Sequence, residues 1–351
     1  MQEIGWSNAG LAAPSRRPAM TIPTPAYPPP FTITRASHVV WAVKDLGASR
    51  AFYVDALGFL VSDETKDALY LRGIEEAAHH GVVLKRTAGA PACERVGLRV
   101  YTDDDLDRAK RYFDDAGLPA AWVDVPHQGK TLHVTDVSGA LIEFCATMDA
   151  MPRNVVQFRN QRAACPQRID HFQLHVTDVQ RQCDFYAALG FRLAEYVAID
   201  GTDDLVFVFM QRKGNPHDIV FAGGPGPRLH HVAFSIPDAH HLIHACDMAG
   251  AYGFGENLEF GPGRHGPGHA LFVYFRDPDG HRIELFNTHY QTMDSCDAPV
   301  RWEASNLRNR PWGLPARRSW HEEASRFAGV EVAPPAKPGN PMTLERYLAG
   351  N

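Results

Sequence analysis

The fold of this chain is decided by a stretch that occurs twice. Residues 37–59 read SHVVWAVKDLGASRAFYVDALGF, and residues 170–191 read DHFQLHVTDVQRQCDFYAALGF. Each copy begins near a histidine on an alternating apolar stretch, which predicts a strand, and then reaches an aspartate suited to a helix N-cap. Each predicted helix carries Phe-Tyr and ends at Leu-Gly-Phe, where the glycine fits the left-handed residue that follows a helix. The sequence therefore contains an internal repeat.

The repeat continues in the same order beyond these two stretches. Residues 96–117 and 230–250 each predict a strand followed by an amphipathic helix. Residues 134–144 and 275–285 each predict a hairpin turn and a strand that carries one glutamate. We therefore expect an α+β fold of tandem βαβββ modules, two in each half, with each half curved around a cavity.

The segments outside the repeat predict the domain boundaries. We expect a Pro-rich N-terminal arm at 1–35, a first domain without metal at 36–147, a linker at 148–168 and a catalytic second domain at 169–290. The polar, irregular tail at 291–351 is expected to form a lid or an interface. A chain of 351 residues is long enough for two such domains.

Composition excludes several classes of partner. Lys and Arg number 35 against 41 for Asp and Glu, without a basic run, so neither nucleic acid nor a membrane surface is expected as a partner. The sequence shows no long apolar run and no secretory apolar region, which favours a cytoplasmic location. Its six cysteines are scattered without a CxxC pair, which argues against a disulfide framework. The expected partner is a small molecule.

Residues of metal-ligand type recur at matched points of the second half. They are His171 on the first strand, the pair His230 and His231 on a later strand, and Glu284 on the last strand. Two imidazoles and one carboxylate form a facial triad, which leaves coordination positions open and suits Fe(II). Strand alternation places His231 on the face that carries small residues, where a substrate would have room, so we favour His231 over His230 as the ligand.

The first half lacks the complete set. His38 and Glu143 remain, but Gly97 and Leu98 stand where we align the histidine pair. A histidine at a strand edge is more often structural than a ligand, and we give His38 and Glu143 that interpretation. The metal site is therefore predicted in the second half alone.

Residues 263–285, GRHGPGHALFVYFRDPDGHRIEL, carry a family resemblance. The order Gly-x-His, apolar-Tyr, Asp-Pro-x-Gly and then Glu resembles the signature of the type I extradiol ring-cleavage dioxygenases of the vicinal oxygen chelate superfamily, nearest the homoprotocatechuate and catechol 2,3-dioxygenase branches. The resemblance implies a non-haem Fe(II) enzyme, or its Mn(II) variant, that uses O2 to cleave a substituted catechol beside its diol in the degradation of aromatic compounds. It implies His171, His231 and Glu284 as the metal ligands, and a homotetramer.

The same resemblance assigns three catalytic residues. His217 falls at the acid–base position of the family, and the ordinary pKa of histidine, about 6.5, suits proton transfer near neutral pH. Tyr274 is expected to hydrogen-bond the chelated diol. His265 is expected to donate a hydrogen bond to a substrate oxygen.

Departures from the family pattern concern the substrate. Phe260 stands where close relatives have Arg, Phe209 where they have Trp, and Gln173 where they have Asn. Arg308 is interpreted as a basic residue that survives near the tail at a shifted register. A carboxylate clamp is hard to build with Phe in place of Arg. We therefore expect a catechol with a less acidic or bulkier substituent, and homoprotocatechuate as the second choice.

Two other functions remain open at this point. A keto-acid dioxygenase of the type that acts on 4-hydroxyphenylpyruvate would use the same two-histidine, one-glutamate set, but would lack the pair His217 and Tyr274. A non-catalytic protein that binds aromatic compounds on the same scaffold would have no need of three metal ligands beside an acid–base group.

Overall fold

The structure is a computed structural model that describes residues 22–306 and 311–336. The strands of the first half are β1 (Ile33–Val43), β2 (Leu60–Glu64), β3 (Ala68–Arg72), β4 (Val82–Arg86), β5 (Ala92–Val100), β6 (Ala120–Val123), β7 (Thr131–Thr135) and β8 (Leu141–Cys145). Its helices are α1 (Leu46–Arg50), which continues into a π-helical turn (Ala51–Ala56), and α2 (Asp103–Asp115). A 3-10 turn, Phe158–Asn160, lies between the halves.

The second half repeats this succession of elements. Its strands are β9 (Arg168–Val176), β10 (Arg192–Ala198), β11 (Leu205–Gln211), β12 (Ile219–Gly223), β13 (Arg228–Ser235), β14 (Leu258–Arg264), β15 (Leu271–Arg276), β16 (Arg282–Asn287), β17 (Val300–Glu303) and β18 (Ser325–Arg326). Its helices are α3 (Val179–Ala188), α4 (Ala239–Ala251) and α5 (Arg318–Glu322), with 3-10 turns at Gly255–Asn257, Pro267–His269 and Ala304–Asn306. Across the described ranges, no helix has the length and apolar character needed to span a bilayer.

The two sheets have the same strand order. The first runs β2-β3-β4-β1-β5-β8-β7-β6, and the second runs β10-β11-β12-β9-β13-β16-β15-β14, with β17 added beside β10 and β18 paired with β13. Each sheet consists of two βαβββ modules joined through their first strands, β1 with β5 and β9 with β13. The predicted α+β architecture of tandem βαβββ modules is confirmed.

Local chemistry explains why each module begins with a strand and a helix. The carboxylate of Asp45 accepts hydrogen bonds from the first turn of α1, and that of Asp178 accepts one from Arg181 in α3. Gly58 and Gly190 follow these helices with φ of 87° and 85°, a left-handed conformation that side chains rarely adopt. The helices therefore begin and end at the residues that the repeat predicts.

The two halves share one apolar core and are joined by a reciprocal pair of hydrogen bonds. In the first half, Tyr53 donates from its hydroxyl to Asp277 in the turn before β16, at 3.1 Å. In the second half, Tyr186 donates to Asp136 in the turn before β8, at 3.2 Å. We call these the crossed tyrosine–aspartate bonds. All four side chains are buried, so each half completes the interior of the other.

Strand register corrects one detail of the sequence repeat. His38 pairs with Gly97 between β1 and β5, whereas His171 pairs with Ala233 between β9 and β13. Gly97 is thus the equivalent of Ala233, and Arg95 is the equivalent of His231. The prediction that Gly97 and Leu98 occupy the place of the histidine pair is wrong by three positions, since Glu94 and Arg95 stand there. The register of both ladders is irregular beside this position, so an alignment of the two repeats by sequence alone could not reveal it.

Candidate active site

The concave face of the second sheet encloses a cavity of about 100 Å³. Strands β9, β11, β12, β13, β15 and β16 contribute to its walls, and α5 of the tail covers one side through Trp320. Residues predicted as ligands, as catalytic groups and as substrate contacts meet here: His171, Gln173, Phe209, His217, His231, His265, Tyr274 and Glu284. The sheet thus brings together side chains that are far apart in the chain.

The three predicted ligands form a compact group at the bottom of the cavity. The Nε2 atoms of His171 and His231 lie 3.4 Å apart, and each lies 3.2 Å from Oε2 of Glu284. A metal about 2.1 Å from each ligand atom, with ligands at right angles, would separate those atoms by about 3.0 Å. The donor types and their spacing therefore fit a divalent metal without rearrangement, and all three side chains are buried.

A chain of hydrogen bonds fixes the tautomer of His231. Nε2 of His230 lies 2.8 Å from the carbonyl oxygen of Trp320, which can only accept, so that nitrogen carries the proton. Burial lowers the pKa of His230 well below its ordinary value, so its ring is neutral and its Nδ1 accepts. His231 Nδ1, at 2.8 Å, must be the donor to it. The lone pair of His231 then lies on Nε2, the atom that faces Glu284.

Asp170 orients the other imidazole in a similar way. Its Oδ2 lies 2.8 Å from Nδ1 of His171, and its Oδ1 accepts from Asn215 at 2.7 Å. Burial alone would raise the pKa of this carboxyl, but Lys213 and His171 hold it well below its usual range. A charged acceptor at Nδ1 keeps Nε2 of His171 directed at the ligand group and raises its basicity as a ligand.

Glu284 uses its two oxygens for two purposes. Oε2 faces the ligand histidines, while Oε1 lies 3.3 Å from Nε2 of His265. Nε2 of His265 also lies 2.9 Å from the hydroxyl of Tyr274. Although burial opposes ionisation, the close imidazoles of His171, His231 and His265 hold the pKa of Glu284 well below its usual value. Burial, followed by the charge of Glu284, raises the pKa of Tyr274, which therefore keeps its proton for donation.

His217 lies against the ligand group but is separate from it. Its ring centre lies 4.2 Å from that of His171, and its Nδ1 is buried without a hydrogen-bond partner in the described part of the chain. Burial, and then the charges of His171 and His289, lower its pKa well below the ordinary value. His217 is therefore a neutral imidazole that can accept a proton inside the cavity.

His289 is a cavity residue that the sequence did not indicate. It follows β16 outside any repeated motif, stacks on Phe286 with ring centres 4.3 Å apart, and lies 4.7 Å from the ring of His217. Its side chain is 5% exposed, and burial lowers its pKa to about 4. The only sequence feature that could have indicated His289 is that it is a histidine, because no spacing rule relates it to the other histidines.

Comparison with known proteins agrees with this geometry. Residues 35–144 and 168–285 match the family model described as the Glyoxalase/Bleomycin resistance protein/Dioxygenase superfamily. The chain belongs to this superfamily. Its relatives include a metapyrocatechase from Pseudomonas sp. (strain CF600), 29% identical over 78% of this chain and 92% of that protein. They also include a manganese-dependent 2,3-dihydroxybiphenyl 1,2-dioxygenase from Geobacillus genomosp. 3, 26% identical over 88% of this chain and 97% of that protein.

A solved structure matches the whole superfamily architecture. The homoprotocatechuate 2,3-dioxygenase of Brevibacterium fuscum, in an anaerobic complex with 3,4-dihydroxyphenylacetate, is 37% identical with a TM-score of 0.83. The match covers 88% of this chain and 97% of that one. The relatives thus share the fold over nearly their full length, including both halves.

Of the four predicted substrate contacts, two line the cavity, one does not, and one lies outside the described residues. Gln173 and Phe209 line the cavity. Phe260 lies beside Tyr274, with ring centres 5.8 Å apart and planes at 9°, and is absent from the described cavity lining. Arg308 lies outside the described residues. The cavity also contains Arg228, which sequence reasoning missed and whose Nη2 lies 3.2 Å from Nδ1 of His175.

Proposed function

We propose that this chain is an extradiol dioxygenase that opens the aromatic ring of a substituted catechol next to its diol with O2. The observation that carries the proposal is the group His171, His231 and Glu284 in one cavity with His217 and Tyr274. The keto-acid dioxygenase interpretation expects no such neighbouring pair. The catechol dioxygenases among the relatives support the same reaction.

His171, His231 and Glu284 would hold the metal through Nε2, Nε2 and Oε2. What a bound divalent metal supplies is a common centre at which the diol oxygens and O2 meet and exchange electron density. We propose Fe(II) as the native metal. Mn(II) accepts the same ligands, and one relative is named as manganese-dependent.

Side chains of this protein would accept and donate the protons of the reaction. His217, neutral and with an unpartnered Nδ1, accepts the proton that a catechol hydroxyl loses on binding and returns it to the oxygen side later in turnover. Tyr274 and His265, hydrogen-bonded to each other beside Oε1 of Glu284, would donate toward the diol. Gln173, the ladder partner of His231, also lines the cavity.

The walls of the cavity favour an apolar substituent on the catechol. Phe207, Phe209, Val220 and Trp320 face the cavity, and no carboxylate clamp of two cations lines it within the described residues. We therefore propose a catechol with a neutral or bulky substituent, with homoprotocatechuate second. A role in aromatic degradation, a cytoplasmic homotetramer and the division into domains at 36–147 and 169–290 remain predictions.

Anaerobic reconstitution tests the reaction. The full chain is loaded with Fe(II) or Mn(II), mixed with catechols that carry neutral, acidic or bulky substituents, and exposed to O2 while yellow ring-opened product is followed by absorbance. Product that forms fastest from a neutral or bulky catechol supports the proposal. A metal-loaded protein that consumes no catechol, but does consume 4-hydroxyphenylpyruvate, would overturn it.

A further inference from the structure

The first sheet contains a second cavity at the position that matches the active site of the second sheet. It has a volume of about 60 Å³ and lies between β1, β3, β4, β5, β7 and β8. Polar groups that line it come from His80, Lys85, Glu94, Arg95, Gln128, His133 and Glu143. Nothing in the proposed reaction uses these residues.

Topological equivalence shows how this cavity differs from the active site. His80 precedes β4 as His217 precedes β12, and His133 pairs with Glu143 as Tyr274 pairs with Glu284. The first sheet therefore retains polar side chains at four of the positions that surround the active site of the second sheet: His38, His80, His133 and Glu143. The position of His231, however, is held by Arg95. Arginine is permanently charged and offers no lone pair to a metal, so a metal is not expected at this position.

The one carboxylate deep in this cavity is already occupied. Glu143 lies 2.6 Å from Nε2 of His38 and 2.6 Å from Nε2 of His133, and it accepts from the amide of Gln128 at 2.7 Å. Although burial opposes ionisation, the hydrogen bonds from His133 and His38 hold its pKa well below the usual value. Both oxygens of the buried charge are therefore satisfied within the first half.

Arg95 is the cation that lacks such partners. Its guanidinium interacts with Glu143 and Glu94 through charge, but it makes no hydrogen bond or ion pair with any described residue. The neighbouring Lys85 is paired with Glu94 at 2.9 Å. A planar fork of donors at the wall of a cavity, with no acceptor of its own, matches a carboxylate.

The apolar part of the lining, which includes the ladder partner of Arg95, defines the rest of the ligand. Val40, Tyr70 and Val83 form a small apolar cluster of their own on this face, and Val125 and Pro126 extend it. The cavity is about 60 Å³ against about 100 Å³ for the active-site cavity, so it suits a ligand smaller than the substituted catechol proposed there. We propose that this cavity binds a small monocarboxylate with a flat apolar body, whose carboxylate is held by Arg95.

Equilibrium dialysis with benzoate tests the proposal on the full chain. The protein is loaded with metal and kept anaerobic with a saturating catechol, so that the active-site cavity is filled. We expect one benzoate per chain, at least tenfold weaker binding by Arg95→Gln, and an intermediate loss in Arg95→Lys, which keeps the charge without the fork. Metal content and the circular dichroism spectrum check that each variant is folded.

Three other probes separate the contributions of charge and ring. Benzamide lacks the charge and acetate lacks the ring, so both should bind at least tenfold more weakly than benzoate, and inorganic phosphate should not compete. Absence of saturable benzoate binding, or equal binding by Arg95→Gln, would leave Arg95 as a distant counter-charge to Glu143 and overturn the proposal. Equal binding of benzamide would overturn the carboxylate role.

A crystal of the unaltered chain with 4-bromobenzoate covers the case in which the variants do not fold. Anomalous signal from bromine in the first-sheet cavity, with the carboxylate at Arg95, supports the proposal. Signal confined to the second sheet, no signal, or binding at crystal concentration only with none in dialysis, counts against it.

Discussion

Replacement of His230 by leucine tests whether a residue that holds no metal nevertheless controls the metal site. In the structure, His230 accepts from Nδ1 of His231 at 2.8 Å and donates to the carbonyl oxygen of Trp320 at 2.8 Å. Leucine fills a similar volume but accepts no hydrogen bond. The donor of His231 is then buried without a partner, or its proton moves to Nε2 and must leave before a metal can bind.

The size of the effect follows from that lost bond. A buried donor without a partner costs about 1–3 kcal/mol, and a tenfold change in affinity corresponds to about 1.4 kcal/mol. We therefore expect His230→Leu to bind metal roughly 10- to 100-fold more weakly, as is usual for partners behind metal ligands. His230→Gln, which retains an acceptor and a donor, should recover part of this loss.

Competition against a chelating dye, followed with Fe(II) under anaerobic conditions, measures the affinity. The first half offers a matched control: His79 lies 3.1 Å from Nδ1 of His80 through its own Nδ1, in the same kind of contact but away from the ligands. His79→Leu should leave metal affinity unchanged. The reasoning fails if folded His230→Leu holds metal as tightly as the unaltered chain, or if His79→Leu loses metal to the same degree.

Three further predictions concern catalysis, pH and packing. His217→Asn should retain a full equivalent of metal but turn over about 10²–10⁴-fold more slowly, and loss of metal in this variant would contradict the assigned role. Burial would raise the pKa of Glu259, but its hydrogen bonds with Arg282 hold that pKa at about 2. The ionised carboxylate therefore stabilises the fold above about pH 4.3, and this stabilisation is lost as the pH falls toward 2. Urea unfolding should show this loss in the unaltered chain and not in Glu259→Gln, which at neutral pH should be about 3–5 kcal/mol less stable because it leaves the buried guanidinium of Arg282 without its counter-charge. Gly97→Ala would place a Cβ 2.1–2.6 Å from ring atoms of His38. This clash should lower the free energy of unfolding by about 1–3 kcal/mol in the same urea assay. An unchanged unfolding midpoint would mean that the ring of His38 moves freely.

The repeat in the sequence was sufficient to predict the module order and to bring three distant ligand-type residues into one place. Ligand chemistry and strand alternation favoured His231 over His230 as the ligand. In the structure, His230 accepts a hydrogen bond from Nδ1 of His231 and donates one to Trp320. The register of Arg95 could not be predicted, because both ladders are irregular beside this position and only the ladder partners decide the alignment. His289 was missed because it comes from a loop after β16, where no periodic pattern applies.

Phe260 illustrates a different limit of sequence reasoning. The family pattern predicted Phe260 as a substrate contact, whereas in the structure it pairs with Tyr274 across the β14–β15 ladder and is absent from the described cavity lining. Spacing did not show which of the two lies nearer the cavity, since that depends on the curvature of the sheet and on Trp320 from the tail, 5.1 Å from the ring of Phe260. Contacts supplied by a distant segment of the chain have no local signature.

The crossed tyrosine–aspartate bonds bear on how such a chain can be recombined. Each half presents a buried hydroxyl that only the other half can satisfy, so a fragment that ends in the connecting segment would expose both an apolar surface and an unpaired tyrosine. A chimera that joins the first half of one relative to the second half of another would lose about 1–3 kcal/mol of stability for each of these bonds that the exchange removed. The half without the predicted metal ligands is in this sense a wall of the half that contains the candidate site, and it cannot be discarded even though it does not contain that site.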